Sequence, residues 1–172
     1  KCLLTELSKF KAYRDPVQKK SFYFLSVMKN NGFWDYKDEA NLLSPVDYNE
    51  VRGHLRIGTV IIEDINLKQK IQKNDLVDED EDVEIRKQVR DSINYISSKL
   101  NITNSRLHYL FWNIFRSCCK VNETHCVSCN LDCSLPQRYK KMTKGKCLFY
   151  NICESSGQDI KSNHHNFITD YY

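Results

Sequence analysis

The distribution of cysteine constrains this 172-residue chain more than any other feature. Seven of its eight cysteines lie between Cys118 and Cys153, and only Cys2 lies elsewhere. In a secreted protein the cysteines usually spread along the chain and cross-link separate loops. A dense local group of thiols instead suits a soft metal centre, because thiolate is a preferred ligand of zinc and of iron–sulfur clusters.

Four of these cysteines have the spacing of a metal-binding loop. They follow the pattern C-x6-C-x2-C-x3-C and are Cys119, Cys126, Cys129 and Cys133. A two-residue gap lets two sulfurs on one turn face a single centre. Cys118, Cys147 and Cys153 are reserve ligands, since the first adjoins Cys119 and the other two form a second pair. The fourth ligand therefore stays open, and both a [4Fe–4S] cluster and a Cys₄ zinc site suit the pattern.

Helical signals dominate the rest of the chain. Apolar residues recur at three- to four-residue spacing, and cap residues and stop signals flank these runs. The patterns predict helices over 16–31, from after Pro45 to about Leu55, around 89–100, and from about 103 to 116. The β-branched run 59–65 is either a short strand or a buried connection. The acidic run 78–84 is either a solvated loop or the start of a helix.

This reading predicts a mainly α protein with three parts. Residues 1–117 form a helical domain, 118–153 a cysteine-rich metal loop, and 154–172 a polar, mobile tail. The chain opens at Lys1 without a methionine or an apolar leader, so we expect a fragment or a processed product that lacks upstream helices. No apolar run approaches the roughly 18–20 residues of a membrane span. We therefore expect no membrane partner.

Charge permits nucleic acid as a partner without demanding it. The net charge is +4. A dense basic stretch adjoins the cysteines and consists of Arg138, Lys140, Lys141, Lys144 and Lys146. Such a stretch is either a solvated surface or a face that contacts phosphates. These five residues are the candidate DNA-binding residues.

The cysteine pattern and the helix before it resemble a known family. The run from Leu107 to Cys119, followed by C-x6-C-x2-C, resembles the end of endonuclease III-type helix-hairpin-helix DNA glycosylases. In that family a helix ends in an arginine, here Arg116, shortly before C-x6-C-x2-C-x5-C, which carries a [4Fe–4S] cluster. The last gap here has three residues. The resemblance implies a helix-hairpin-helix glycosylase-like helical domain, an intracellular location, and double-stranded DNA with a damaged or modified base as partner.

Two upstream segments extend the resemblance. The segment 45–52, P-V-D-Y-N-E-V-R, is similar to the stretch that carries the catalytic aspartate, with Asn49 where histidine is common. The segment 15–19, D-P-V-Q-K, resembles the D-P-x-Q-K of archaeal 8-oxoguanine glycosylases. The likeness implies that Lys19 is the nucleophile, with Lys20 in reserve, and that Asp47 is its acidic partner. The glycine-rich L-P-G-x-G hairpin of the family is absent.

Three functions stay open on these patterns. The first is a base-excision repair glycosylase, with or without AP-lyase activity, that removes a damaged purine such as 8-oxoguanine. The second is a non-catalytic iron–sulfur or zinc module that binds DNA. The third is a secreted disulfide-rich protein, because N-x-T sequons begin at Asn101 and Asn122. Phe33, Trp34 and Tyr36 either line a base pocket or cover the core.

Overall fold

The structure, a computed structural model, describes residues 2–129, 133–158 and 162–171. Within these ranges it contains no β-strand, and two short 3₁₀ helices accompany the α-helices. The α-helices are α1 (Cys2–Leu7), α2 (Lys19–Asn30), α3 (Tyr48–Ile57), α4 (Ile65–Lys73), α5 (Glu79–Leu100), α6 (Asn104–Cys118) and α7 (Gln137–Thr143). The prediction of a mainly α protein is confirmed. None of the described helices is long and apolar enough to cross a membrane.

The helix predicted over 16–31 begins three residues later than expected. Residues 15–18 form a turn, and Gln18 has a left-handed backbone with φ of 60°. The turn forms because the Asp15 carboxylate accepts the backbone N–H groups of Val17 and Lys19. Such side-chain bonds to nearby backbone compete with helix formation. The next predicted helix is present as α3, which Asp47 caps and which ends at Gly58 with φ of 90°.

The β-branched run 59–65 is not a strand. It is an irregular connection that leads into α4, where Asp64 caps the helix by accepting the N–H of Leu67 at 2.8 Å. A strand needs a partner for its backbone groups, and the described residues offer none beside this run. The acidic run starts α5, where Asp78 and Glu81 form a capping box. Acidic side chains there complement the positive end of the helix dipole.

Three helices, α3, α5 and α6, enclose the main core. Val51 of α3, Val89 of α5 and Ile114 of α6 are almost fully buried in it. Leu135 and Tyr139, which lie within the cysteine-rich stretch 118–153 (called the cysteine segment), are buried in the same core. A second, smaller cluster joins α2 to the loop after it and contains Phe22, Leu25 and Leu42. The cysteine segment is thus packed onto the helical core.

The described residues near the end of the chain are hydrogen-bonded to the helices. The described stretch 162–171 is called the tail below. The Val77 N–H donates to the Asn166 carbonyl at 2.9 Å, and Arg56 donates to the Ser162 carbonyl at 2.6 Å. The His165 ring lies 2.7 Å from the buried carboxylate of Asp82. These contacts place the tail across α3 and the start of α5.

Candidate active site and cysteine cluster

The backbone of Lys19 is fixed by a buried carboxylate. Asp15 is 2% exposed and accepts the Lys19 N–H at 2.8 Å. The same carboxylate accepts both of its bonds to Arg86 from one guanidinium nitrogen, at 2.9 and 3.0 Å. Arg86 is completely buried on α5, so it anchors the turn that precedes α2. The first turn of α2 is therefore anchored to α5 through Asp15 and Arg86.

A buried charge cluster extends this anchor to the tail. Arg86 also contacts Asp82 one turn earlier on α5, with a closest distance of 2.6 Å. Asp82 in turn lies against His165 of the tail. Breaking one partner out of such a buried cluster leaves an uncompensated charge, at a cost of about 3–5 kcal/mol. The cluster joins three segments that are distant in sequence, namely 15–19, α5 and the tail.

The two candidate nucleophiles have different surroundings. The Lys19 amine lies 5.9 Å from the ring centroid of Tyr23 and makes no salt bridge with any described carboxylate. The Lys20 amine donates to the backbone carbonyl of Asp170 in the tail at 3.0 Å. The Lys20 amine is therefore engaged in a hydrogen bond to the tail. The Lys19 amine instead lies over the Tyr23 ring, which is half-exposed.

Asp47 is buried at the first turn of α3. Its carboxylate accepts the backbone N–H groups of Asn49 at 2.8 Å and Glu50 at 3.3 Å. The indole N–H of Trp112 on α6 donates to its second oxygen at 2.9 Å. Asp47 is thus a helix cap, as its position before α3 suggests, and it also contacts a half-buried tryptophan on another helix.

Helix α2, which carries Lys19, contacts α6, which carries that tryptophan. The hydroxyls of Ser26 on α2 and Ser105 on α6 are 2.6 Å apart. Tyr109, one turn after Ser105, also interacts with Tyr23 of α2.

Further polar groups of α3 support the position of Asp47. Glu50 is fully buried and lies 2.6 Å from the His108 ring on α6. Burial raises the pKa of the Glu50 carboxyl, and the contact with His108 opposes that change. The pair fixes α3 against α6 directly beneath the cap.

The tail supplies a histidine beside this segment. Arg52 donates to the Asn49 side chain at 2.7 Å and lies 3.4 Å from Nδ1 of His164. The His164 ring packs against Tyr48 with centroids 5.3 Å apart. Burial, followed by the nearby Arg52 charge, lowers the pKa of His164 to about 4, so the imidazole is neutral at pH 7. The sequence motif has asparagine at position 49, and the fold brings in a histidine from the tail.

The cysteines of the predicted motif do not all meet. One narrow cavity at the ends of α3 and α6 is lined by Cys119 and Cys126 of the motif and by the reserve residues Cys118, Cys147 and Cys153. Cys129 lines a different, open depression with His125 and Gly145. Cys133 packs partly buried against the main core. All seven described thiols are free, with no disulfide among them.

The thiols at this cavity are strongly desolvated. Burial raises the pKa of Cys118 to about 12 and that of Cys147 to about 11. Burial also raises the pKa of Cys153. Among the described residues, no three cysteine, histidine, aspartate or glutamate side chains are placed to hold a single metal ion. The compact geometry of a Cys₄ zinc site is therefore not present in the described part of the chain.

The five basic residues fall on and after α7. Arg138, Lys141, Lys144 and Lys146 are exposed. Arg138 lies over the ring of Tyr139 and Lys146 over that of Tyr150, with cation-to-centroid distances of 4.6 and 5.0 Å. Cations beside aromatic rings on one exposed segment form a surface that suits an anionic polymer.

The three aromatic residues Phe33, Trp34 and Tyr36 lie in different surroundings. Phe33 is 74% exposed and lines no described cavity. Trp34 and Tyr36 line a mainly apolar cavity of about 610 Å³ between α1, α2 and the loop 33–43. Its size suits a small ligand.

The comparisons with known proteins add no relative. No family model matches the sequence, no curated protein is significantly similar to it, and no solved structure is significantly similar to its fold.

Sequence reasoning missed several residues that build the site. Arg86, Asp82, His165 and His108 were not singled out, although all four are buried and charged or titratable. The i, i+4 spacing of Asp82 and Arg86 was a readable signal for an ion pair on one helix. Their burial and their contacts with Asp15 and the tail could not be predicted, because these partners are distant in the sequence.

Proposed function

We propose that this protein is a DNA base-excision glycosylase with AP-lyase activity that acts on a damaged purine such as 8-oxoguanine. The observation that carries the proposal is the contact between the Asp47 carboxylate and Trp112 of α6, the helix that also contacts α2. Helix α2 carries the Lys19 amine, which makes no salt bridge with any described carboxylate. An amine and a carboxylate beside half-exposed aromatic rings are the groups that attack on a sugar carbon requires.

The chemistry assigns a separate role to each group. The Lys19 amine attacks C1′ of the damaged nucleotide as the bond from C1′ to the base breaks, and the base leaves with the bonding electron pair and gains a proton. Loss of the amine protons and opening of the sugar ring give a Schiff base, which allows β-elimination of the 3′-phosphate. The Asp47 carboxylate stabilises positive charge on the sugar as it develops.

The aromatic rings on α2 and α6 suit the stacking of an extruded base. Tyr23, Tyr109 and Trp112 lie along the α2–α6 pair, and a base that leaves the duplex can stack on such rings. Extrusion costs a few kcal/mol, which stacking offsets in part. The exposed cations of α7 would contact the phosphate backbone. A DNA substrate and a chain rich in free thiols imply an intracellular location.

Borohydride trapping tests this proposal. Full-length protein is incubated with a duplex that contains 8-oxoguanine, and sodium borohydride is added to reduce any Schiff base. We expect a covalent protein–DNA complex that disappears in Lys19→Ala and persists in Lys20→Ala, the matched control on the same turn. Asp47→Asn retains a good helix cap but loses the charge, so we expect roughly a 100-fold or greater loss of rate.

The exposed basic residues favour a second candidate, a DNA-binding module without turnover. In that case the duplex binds, no complex is trapped, and no abasic product forms with any damaged base tested. Replacement of Arg138 and Lys141 by glutamine would then weaken binding and reduce its dependence on salt concentration. Trapping that depends on Lys20 and not on Lys19 would contradict the assignment of the nucleophile.

A further inference from the structure

The cavity between α1, α2 and the loop 33–43, called the apolar cavity below, has the size of a small-molecule site. Its volume of about 610 Å³ falls within the range of roughly 300–1,000 Å³ that is typical of ligand pockets. The buried side chains of Phe22, Leu25 and Leu42 line it, together with the partly buried Leu3 and Leu4 of α1. The apolar part of a ligand would therefore lose its contact with water here.

Polar contacts hold the loop that forms one wall of the apolar cavity. The Tyr36 hydroxyl donates to a backbone carbonyl of α2 at 3.2 Å, and the Asn104 side chain of α6 donates to the Leu42 carbonyl at 3.0 Å. Lys29 of α2 forms a salt bridge of 2.8 Å with Glu39 of the loop. The loop is thus joined to two helices at three points, and such pre-organisation reduces the entropy that a ligand must remove on binding.

Asp38 is the only charged residue among the described residues that line the apolar cavity. Its side chain is exposed, and the Asn41 amide donates to its carboxylate at 3.5 Å. No described lysine, arginine or histidine forms a salt bridge with it. Burial raises the pKa of the Tyr36 hydroxyl, and the Glu39 and Asp38 charges raise it further while Lys29 opposes them. The negative charge of Asp38 therefore acts on the cavity wall and favours a ligand with a positive charge.

The two aromatic rings that line the apolar cavity suit a cation as well. The Lys29 amine lies 5.0 Å from the ring centroid of Tyr36, so one of these rings already contacts an ammonium group. Trp34 is 39% exposed, its ring meets the Phe24 ring edge-on, and no described lysine or arginine lies over it. Tryptophan is the side chain whose ring attracts cations most strongly. The Trp34 ring is therefore the one that is open to the cation of a ligand.

We propose that the apolar cavity binds a small organic cation with an apolar body, an alkyl- or arylammonium compound. Its apolar part lies among the leucine and phenylalanine side chains, and its ammonium group contacts the Asp38 carboxylate and the Trp34 ring. Neutral or anionic molecules of the same shape lack this charge contact. Lys19 and Asp47 are not among the residues that line the cavity, so the inference is independent of the glycosylase proposal, and its measurement needs no DNA.

Titration of isotope-labelled full-length protein with hexyltrimethylammonium, followed by NMR, tests the inference. We expect the amide signals of the loop 33–43 and of α2 to shift and to saturate, with a Kd on the order of 1 mM for a ligand of this size. Hexanoate, which has the same chain and the opposite charge, and tetramethylammonium, which lacks the chain, should each bind at least about ten-fold more weakly. Equal or tighter binding of hexanoate, or saturable shifts confined to other surfaces, would overturn the inference. Failure of hexyltrimethylammonium to saturate by about ten times the expected Kd would overturn it as well.

Two pairs of variants in the same loop separate the cavity from its surroundings. Trp34→Ala should weaken binding of hexyltrimethylammonium about ten-fold, and Asp38→Asn about three- to five-fold, because each removes one contact of the ammonium group. The matched controls, Phe33→Ala and Asp35→Asn, change residues that do not line the cavity and should alter the Kd less than about two-fold. An unchanged Kd in Trp34→Ala and Asp38→Asn, or an equal loss in the controls, would overturn the inference. The titration of the unaltered protein does not depend on whether a variant folds.

Discussion

A buried histidine on α3, His54, makes the stability of this protein depend on pH. His54 is fully buried, and its ring meets the rings of Phe111 and Phe115 edge-on. Nδ1 lies 2.6 Å from the Thr59 hydroxyl, while Nε2 has no hydrogen-bond partner among the residues that the structure describes. Burial lowers the pKa of His54 to about 3, so the folded protein keeps the ring neutral.

Because of this histidine, we expect the free energy of unfolding to decrease in mild acid. The unfolded chain takes up a proton near pH 6.5, whereas folded His54 resists it down to about pH 3. Stability from this group is therefore complete above about pH 6.5 and falls as the pH decreases. Between pH 7 and pH 5 we expect the free energy of unfolding to fall by about 2 kcal/mol through this group. Urea titrations at both pH values measure it.

Comparison of two histidine variants isolates the effect. His54→Gln cannot titrate, so the difference between wild type and variant should shrink at pH 5. His164→Gln should show a change in the same direction and of similar size between pH 7 and pH 5, because its folded pKa of about 4 also lies below this range. An unchanged pH dependence in His54→Gln would contradict the assignment of a neutral buried ring.

At the scale of elements, the close approach of α3 and α6 positions the candidate site. Gly53 faces Phe115, and a Cβ atom added at Gly53 would lie 2.2 Å from the phenyl ring. Above this contact, Asp47 meets Trp112, and Glu50 meets His108. The distance between the two helices therefore controls whether Asp47 and Trp112 can touch.

Gly53→Ala is expected to destabilise the protein. In an open helix this change usually stabilises by about 0.5–1 kcal/mol, because glycine loses more backbone freedom on folding. Here the added methyl group must displace the Phe115 ring or separate the helices, so we expect a loss of about 1–3 kcal/mol. Chemical denaturation measures the sign, and Ser98→Ala on the exposed face of α5 is the control. A stabilised Gly53→Ala protein would contradict the packing.

The whole molecule is tied together by a buried charge cluster that no single element contains. Asp15 precedes α2, Asp82 and Arg86 belong to α5, and His165 belongs to the tail. Because Asp15 also holds the backbone of Lys19, the tail and the first turn of α2 are mechanically linked. Motion of the tail should therefore reach the candidate nucleophile.

Hydrogen exchange can detect this link. His165→Ala removes the 2.7 Å contact with Asp82 and leaves a cavity in a buried cluster. We expect faster exchange of the Val17 and Lys19 amides, both of which donate to Asp15. His125→Ala, in the cysteine loop and away from the cluster, should leave these amides unchanged. Equal exchange in His165→Ala and wild type would show that the tail and the turn are independent.

The sequence by itself determined the helical class and much of the local structure. Capping residues and three- to four-residue spacing act between near neighbours, so the α3 and α6 boundaries were readable. The acidic run 78–84 suited a solvated loop as well as a helix start, and it begins α5. The start of α2 was misjudged because Asp15 bonds the backbone of its own turn. The run 59–65 was ambiguous because strand propensity has meaning only beside a partner strand.

Only the tertiary structure decided which distant residues meet. The C-x2-C spacing grouped Cys129 with Cys126, but Cys126 shares the narrow cavity with Cys147 and Cys153, because chain segments after α7 fold back over the ends of α3 and α6. The tail looked loose because its sequence is polar, yet it supplies His164 and His165 to buried arginine and aspartate partners. Burial and long-range electrostatics depend on the packed chain, and a local pattern of residues does not encode them.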